Sequence, residues 1–334
     1  MDFRLELQVK PWKQQLNLRD KVMLLGSCFT EHMSAKLARS GFSVCENPHG
    51  ILFNPVSILN AVEACYSRKI YTSADLFHFN GLWQSWHHHG RFASVHAKEA
   101  LRLMNHESGL GAVSIRQANW MIITLGSAFV YELKQECGFD LYGNNRVVAN
   151  CHKVPAQHFI HRMLSFQEVE AALHEIIVMV RNINPGVKIV FTISPVRHYR
   201  EGLVENNRSK GLLHNAVAAM ENGHGNVFYF PAYELIMDDL RDYRFFAEDL
   251  VHPNYLATQY VWEKFSAACI DEESRVFMER ISKINNALQH RPRQPESEQH
   301  RDFLQKMLHE TRALKETAPF LQLDEALAFF SAGN

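Results

Sequence analysis

The chain has almost no net charge: 35 lysines and arginines stand against 36 aspartates and glutamates. No basic cluster is interleaved with aromatics either, so nothing provides a field for a phosphate backbone, and nucleic acid is not an expected partner. Long apolar runs are missing. Nowhere do 18 apolar residues follow one another, so no membrane segment is expected. The opening "MDFRLELQVKPW" places Asp2, Arg4 and Glu6 where a secretory leader needs an apolar core, and a cytoplasmic location is the expectation. The six cysteines (28, 45, 65, 137, 151 and 269) include no C-x-x-C pair, which fits reduced thiols rather than a disulfide frame or a zinc cluster. Internal repeats are absent as well.

What is present reads as an ordinary globular protein, 46% apolar and 21% charged over 334 residues, long enough to bury a large core. Four apolar runs read as buried parallel strands: Val22 to Leu25, Met121 to Leu125, Lys188 to Ile193 and Val227 to Phe230. Between them lie helical patterns with recognisable starts at Asn54-Pro55, at the capping box Ser165 to Glu168, and at Pro253 ahead of "NYLATQYVWEKF". This alternation predicts an α/β fold, a three-layer α/β/α sandwich on a mostly parallel, flavodoxin-like sheet. Residues 70 to 118, irregular and rich in Trp, Phe and His, read as an insertion that covers the sheet end or lines a pocket. Beyond residue 270 the character changes. Phe277, Ile281, Ile284 and Leu288 mark one amphipathic helix, "RPRQPESEQ" is a breaker, and Phe303, Met307, Thr311 and Leu314 mark another. The expected division is a sandwich domain over 1–270 and a helical C-terminal extension over 271–334, which either packs on the sandwich or joins copies into a homo-oligomer.

The first strand ends in Gly26-Ser27-Cys28-Phe29 with a helix pattern just beyond. Open α/β sheets place their chemistry at the carboxyl ends of strands, which makes Ser27 a candidate nucleophile. A serine hydroxyl needs a base, and that base needs an acid to fix its tautomer. "FAEDLVHPNY" supplies both: Asp249 and His252, three residues apart, can stack on one helical turn with the carboxylate on Nδ1 and Nε2 turned away. The plainer reading of D-x-x-H is a capping aspartate beside a surface histidine. "SPVRH" sets Arg197 and His198 at the carboxyl end of the third parallel strand. There they either hold an oxyanion or hydroxyl of a substrate or form a structural pair, such as Arg197 with Glu234 or Asp239. His152, in "NCHKVP", is a further candidate for substrate contact, and its neighbour Cys151 reads as a core thiol. In "WHHHG", at 86–90, successive side chains of an extended segment point to opposite sides, so a metal site is not expected.

A serine after the first strand plus D-x-x-H before the last helix of the sandwich resembles the SGNH (GDSL-type) hydrolase superfamily. More closely, the ordered stretches "LLGSCFTE", "NPHGILFNP", "ITLGSAFVYE", "NCHKVP", "TISPVRH", "ENNRSK" and "YFPAYELIMDDLRDYRFFAEDLVHP" resemble the GSCFA family, a bacterial branch of that superfamily. The likeness covers roughly residues 20 to 265, with Thr30 where the family name has Ala. It implies a three-layer esterase fold in which Ser27 attacks, His252 is the base and Asp249 orients it. One block departs. The superfamily's Gly-x-Asn-Asp falls on Gly126-Ser127-Ala128-Phe129, so the oxyanion-hole asparagine is absent. Losing such a donor costs roughly 3 to 4 kcal/mol in barrier. Candidates to serve instead are the backbone N–H groups of Ser27, Cys28 and Gly126, and Asn54, whose plainer role is to cap its helix.

The expectation is a serine esterase or deacylase that removes an acyl group such as acetyl from a carbohydrate or other small polar ester, with no metal or organic cofactor. Two alternatives stay open: an acyltransferase of the same fold, and a ligand-binding protein that has lost turnover. Ala128 favours the second, while the joint presence of Ser27, Asp249 and His252 argues against it.

Overall fold

The computed structural model describes residues 5–135 and 146–332; Cys137 lies outside the described residues. The chain divides into two compact units. Lys21–Ser34 and Val44–Phe265 make up most of the first, and Lys10–Asp20, Ala35–Ser43 and Ser266–Asn334 the second.

In chain order the first half runs β1 (Lys21–Gly26), α1 (Cys28–Arg39), β2 (Ser43–Glu46), α2 (Pro55–Ser67), β3 (Phe77–Phe79), β4 (Leu82–Gln84), α3 (Ala97–Gln117), β5 (Trp120–Leu125) and β6 (Phe129–Leu133). Then follow β7 (Val147–Val148), β8 (Phe159–Met163), α4 (Phe166–Ile183), β9 (Lys188–Ile193), α5 (Leu203–Gly223), β10 (Val227–Phe230), α6 (Ala232–Glu234) and α7 (Tyr255–Cys269). The four expected strands are β1, β5, β9 and β10. All six residues of β5 are buried, as are the last five of β1 and of β9. Burial on both faces is why these strands read as continuous apolar runs rather than as alternating patterns.

The main sheet has the order β10-β9-β5-β1-β2, and the pairs β1/β5, β5/β9 and β9/β10 are parallel. Counted along the sheet's own strands this is the flavodoxin order, with its reversal between β1 and β5, so the crevice of the fold opens above Ser27 and Gly126. One face carries Met23, Met121, Ile123, Ile189 and Phe191 into a core shared with α2, α4 and α5. On the opposite face Phe230 of β10 meets Phe265 of α7 edge-on, with ring centroids 5.0 Å apart. The three-layer sandwich is therefore present.

Two features depart from the sequence pattern. Residues 97 to 117, expected to be irregular, form the 21-residue helix α3. Its inner stripe is Ala100, Met104, Ser108, Gly111, Ala112 and Ile115. Small residues make that stripe quiet in hydropathy, yet they are what the packing needs. A Cβ on Gly111 would meet Cys65 Sγ at 2.7 Å and Pro48 Cγ at 2.8 Å. Ahead of α7 the cap is Asn254, whose Oδ1 accepts from the Ala257 N–H, while Pro253 forms an isolated bridge with Phe246. The small antiparallel sheets β3-β4 and β7-β6-β8 flank a satellite core in which Trp86 stacks on Phe77 with centroids 3.7 Å apart.

In the second unit the tail forms α8 (Glu272–Gln289), α9 (Glu298–Thr317) and α10 (Asp324–Ala332). Ile281 and Ile284 of α8, and Met307, Thr311 and Leu314 of α9, are buried as the periodicity requires. Phe277 and Leu288 are only half-buried, because Met278 and Ala287 take the inner positions beside them. Among the described residues no helix is long and apolar enough to cross a membrane.

Gly26 ends β1 at φ +136°, and a Cβ there would lie 2.2 Å from the Thr124 carbonyl oxygen. Gly26→Ala is expected to destabilise the fold by about 3 kcal/mol. A urea midpoint equal to that of the parent would contradict this account of the strand end.

Candidate active site

Ser27 follows Gly26 and precedes α1. Its N–H donates to the Thr124 carbonyl at 3.2 Å, extending the β1/β5 pairing by one residue, and its carbonyl accepts from the Thr30 N–H at 2.8 Å. A serine at such a helix start ordinarily turns its hydroxyl onto a backbone N–H of the first turn. Here Ser27 Oγ is buried and has no hydrogen-bond partner, His252 included. An orphaned buried hydroxyl costs about 1 to 3 kcal/mol, so its placement here calls for an explanation beyond packing.

The loop before α7 joins Asp249 to His252. Oδ2 lies 2.6 Å from His252 Nδ1, while Oδ1 accepts the N–H groups of His252 at 3.0 Å and Val251 at 2.9 Å. The His252 N–H first, then its ring and the Val251 N–H, hold the Asp249 carboxyl down at about 2. A carboxylate at Nδ1 assigns the proton there and leaves Nε2 as the acceptor. Both side chains are about half exposed, His252 at 47% and Asp249 at 49%.

Arg197 clamps this loop to the end of β9. Its N–H donates to the Val251 carbonyl at 3.3 Å and Nη1 to the Leu250 carbonyl at 3.1 Å. Its guanidinium lies over the rings of Phe246, at 4.1 Å, and Tyr243, at 4.8 Å. The ion pair with Glu234 or Asp239 entertained from the sequence is therefore replaced by stacking. Glu234 instead accepts from the Tyr229 hydroxyl, and Asp239 from the Tyr260 hydroxyl. The adjacent His198 packs edge-on against Phe53, and its Nε2 is buried without a partner, 3.2 Å from where a Cβ on Gly126 would stand. Burial, then the nearby charges of Lys210 and His252, pushes the His198 imidazole down to about 3.

Three oxyanion candidates have their donors engaged. Ser27 N–H is bonded to Thr124, and Gly126 N–H donates to the Phe53 carbonyl at 2.8 Å. Asn54 caps α2: Oδ1 accepts the Ser57 N–H at 2.8 Å and Nδ2 donates to Ser57 Oγ at 3.0 Å. That leaves the amide of Cys28, in the opening turn of α1, where helix N–H groups lack intrahelical acceptors. The Cys28 thiol is pushed up by burial and then by Glu31. His152 has Nε2 2.8 Å from the Ser85 carbonyl and its ring against Phe77 and Trp86. Burial raises the Cys151 thiol to about 11, as suits an inert core sulfur.

A polar stripe on α5 lies among its apolar positions. Asn206, Ser209 and Lys210 are all buried. Asn206 Oδ1 accepts the His198 N–H at 2.9 Å, Ser209 Oγ accepts the Ala128 N–H at 2.7 Å, and Lys210 Nζ donates to the Gly126 and Ser194 carbonyls at 2.6 Å each. The signal was there in "ENNRSK". Positions 206 and 210 fall in line with Leu213, Val217 and Met220 on one helix face, where a lysine has no business unless the fold needs it.

The sequence profile described as GSCFA family matches residues 21–265, and one described as GSCFA domain protein, C-terminal domain, matches residues 281–333. No curated protein matches. Among solved structures, a carbohydrate esterase family 3 from Talaromyces cellulolyticus is similar at 10% identity and a TM-score of 0.37, covering 78% of this chain and 99% of its own. A Clostridium thermocellum family 3 carbohydrate esterase is similar at 9% identity and a TM-score of 0.36, covering 78% of this chain and 98% of its own.

If Arg197 holds the loop by stacking, Arg197→Ala is expected to raise amide exchange over residues 243–252 while the sheet strands stay protected. Arg197→Lys should behave like the alanine variant, because an ammonium lacks the planar face. Asn54→Ala is expected to cost about 1 kcal/mol through the lost cap, and Asn54→Asp to restore it. Chemical denaturation of the two variants side by side checks this.

Proposed function

The chain belongs to the GSCFA family, and from that premise we propose that it is a serine hydrolase of the SGNH type, an esterase or deacylase of small polar esters. The observation that carries the reading is the Asp249–His252 pair, a carboxylate 2.6 Å from Nδ1 that leaves Nε2 as a proton acceptor. Ser27, at the switch point of the sheet with an unpaired hydroxyl, supplies the matching nucleophile.

In this mechanism Ser27 Oγ attacks the ester carbonyl carbon and its proton passes to His252 Nε2. The tetrahedral intermediate collapses by breaking the bond to the alcohol oxygen, which takes the proton from Nε2 and leaves. Water then gives a proton to Nε2 and adds its oxygen to the acyl-serine. Breakage of the acyl bond to Oγ, with return of the proton, regenerates Ser27. Asp249 holds the imidazole and stabilises its cationic form throughout. An acylated carbohydrate suits the polar, half-exposed mouth formed by Asp249, His252 and Arg197. If an acceptor hydroxyl replaces water, the same steps give acyl transfer.

A second reading, a ligand-binding protein without turnover, draws on one observation: Ser27 and His252 share no hydrogen bond. Such bonds are often loose before substrate arrives and tighten in the reacting complex. A serine-directed fluorophosphonate separates the two readings. The hydrolase is expected to label at Ser27 by peptide mapping, with labelling lost in Ser27→Ala; an unlabelled, folded parent protein would favour the binding reading.

The pair also predicts a pH dependence. Asp249 has its carboxyl lowered from an ordinary 3.8 to about 2, so its bonds contribute fully above the unfolded value and are lost only as pH falls towards about 2. The carboxylate is therefore kept down to about pH 2, and the p-nitrophenyl acetate rate is expected to retain the contribution of Asp249 at every pH above about 4. Asp249→Asn should lower kcat by roughly 1,000- to 10,000-fold through the wrong tautomer, with little change in melting temperature. An active Asp249→Asn variant would remove His252 from the role of base.

A further inference from the structure

Lys210 is the most deeply buried cation at the carboxyl edge of the sheet, 2% exposed, one turn ahead of the apolar stripe of α5. An ammonium carries three donors. Two of them go to the carbonyls of Gly126 and Ser194, the first residues beyond β5 and β9; the third has no acceptor among the described residues. No carboxylate of the described residues forms a salt bridge with it. The groups whose charge it influences are the Cys28 thiol, the imidazoles of His198 and His214, and the Tyr233 ring 5.9 Å from Nζ. None of these is a standing anion. A cation shut away from water without a counter-ion is unfavourable, and burial lowers the ammonium to about 7. Below a pH of about 7 the interior thus holds a positive charge with a spare N–H and no counter-ion, within electrostatic reach of Cys28, the residue that follows Ser27.

Resting on the hydrolase reading above, we propose that Lys210 supplies the positive charge that stabilises the oxyanion formed when Ser27 attacks the ester, the function left vacant by Ala128. The negative charge that develops on the acyl oxygen is the counter-charge that the resting fold withholds from Lys210. Such preorganised charge in a water-excluded site acts on the transition state and leaves ground-state binding nearly untouched. Through its two carbonyl bonds the same ammonium also ties the loops after β5 and β9 together, so structure and chemistry must be separated by experiment.

Three variants of the full chain do so: Lys210→Gln, whose amide has two N–H groups for the two carbonyls but no charge; Lys210→Met, which has neither; and Lys210→Arg, which keeps the charge. Each is measured for melting temperature, for kcat and KM on p-nitrophenyl acetate, and for the rate of fluorophosphonate labelling at Ser27. The expected result is a folded Lys210→Gln protein with kcat down roughly 100- to 1,000-fold, KM within about 3-fold of the parent and labelling slowed in parallel. Lys210→Arg is expected to recover at least about 10-fold of the lost rate. A folded neutral variant with kcat within about 3-fold of the parent overturns the proposal. So does unfolding of both neutral variants while Lys210→Arg matches the parent in fold but not in rate, since Lys210 is then a structural cation. If the parent itself neither turns over nor labels at Ser27, the hydrolase reading fails and takes this proposal with it.

Discussion

Everything at the sheet edge hangs on the register between β1 and β5. Gly26 lies opposite Thr124, and the backbones come so close there that the position has no room for a Cβ. That contact sets the height of Ser27 on one side of the switch point and of Gly126 on the other. From Gly126 the constraint passes outward. The Phe53 carbonyl takes the N–H groups of Gly126 and Ser127, Lys210 takes the carbonyls of Gly126 and Ser194, and His198 rests against the Cα of Gly126. A slip of one residue in β1 would break this set together, because a strand slip reverses which face each side chain takes.

The loop that carries Asp249 and His252 is held by different physics. Neither β1 nor β5 touches it through the bonds described above; the segment after β9 does, through the backbone of Arg197 and the stacking of its guanidinium on Phe246 and Tyr243. The site is thus assembled from one part whose geometry follows from strand pairing and another that Arg197 fastens through both its backbone and its side chain.

Much of this could be read from residues alone, and the parts that could not have physical reasons. Parallel strands buried on both faces announce themselves as apolar runs, and Asn54 and Ser165 mark helix starts because short polar side chains satisfy first-turn N–H groups. The pairing of Asp249 with His252 followed from their spacing. Helix α3 escaped because its inner face is built of Ala, Ser and Gly, which pack closely without a hydropathy signal. The role of Arg197 was open between an ion pair and substrate contact. The aromatic rings it uses, Phe246 and Tyr243, lie some fifty residues away, and no local pattern reveals them. Lys210 escaped for the opposite reason: a lysine in a helix is taken for a solvent-facing one unless its phase against Leu213 and Val217 is checked.

The contrast in solvent access between the buried Ser27 and the half-open His252 has a kinetic meaning. An imidazole with about half its surface in water meets the bulk solvent directly. Ser27, by contrast, is 1% exposed and has no such direct access. In the hydrolase reading, buffer concentration and solvent isotope would act on the steps at His252, whereas bulk on the acyl group would act on entry to Ser27, two sensitivities that separate access from proton transfer.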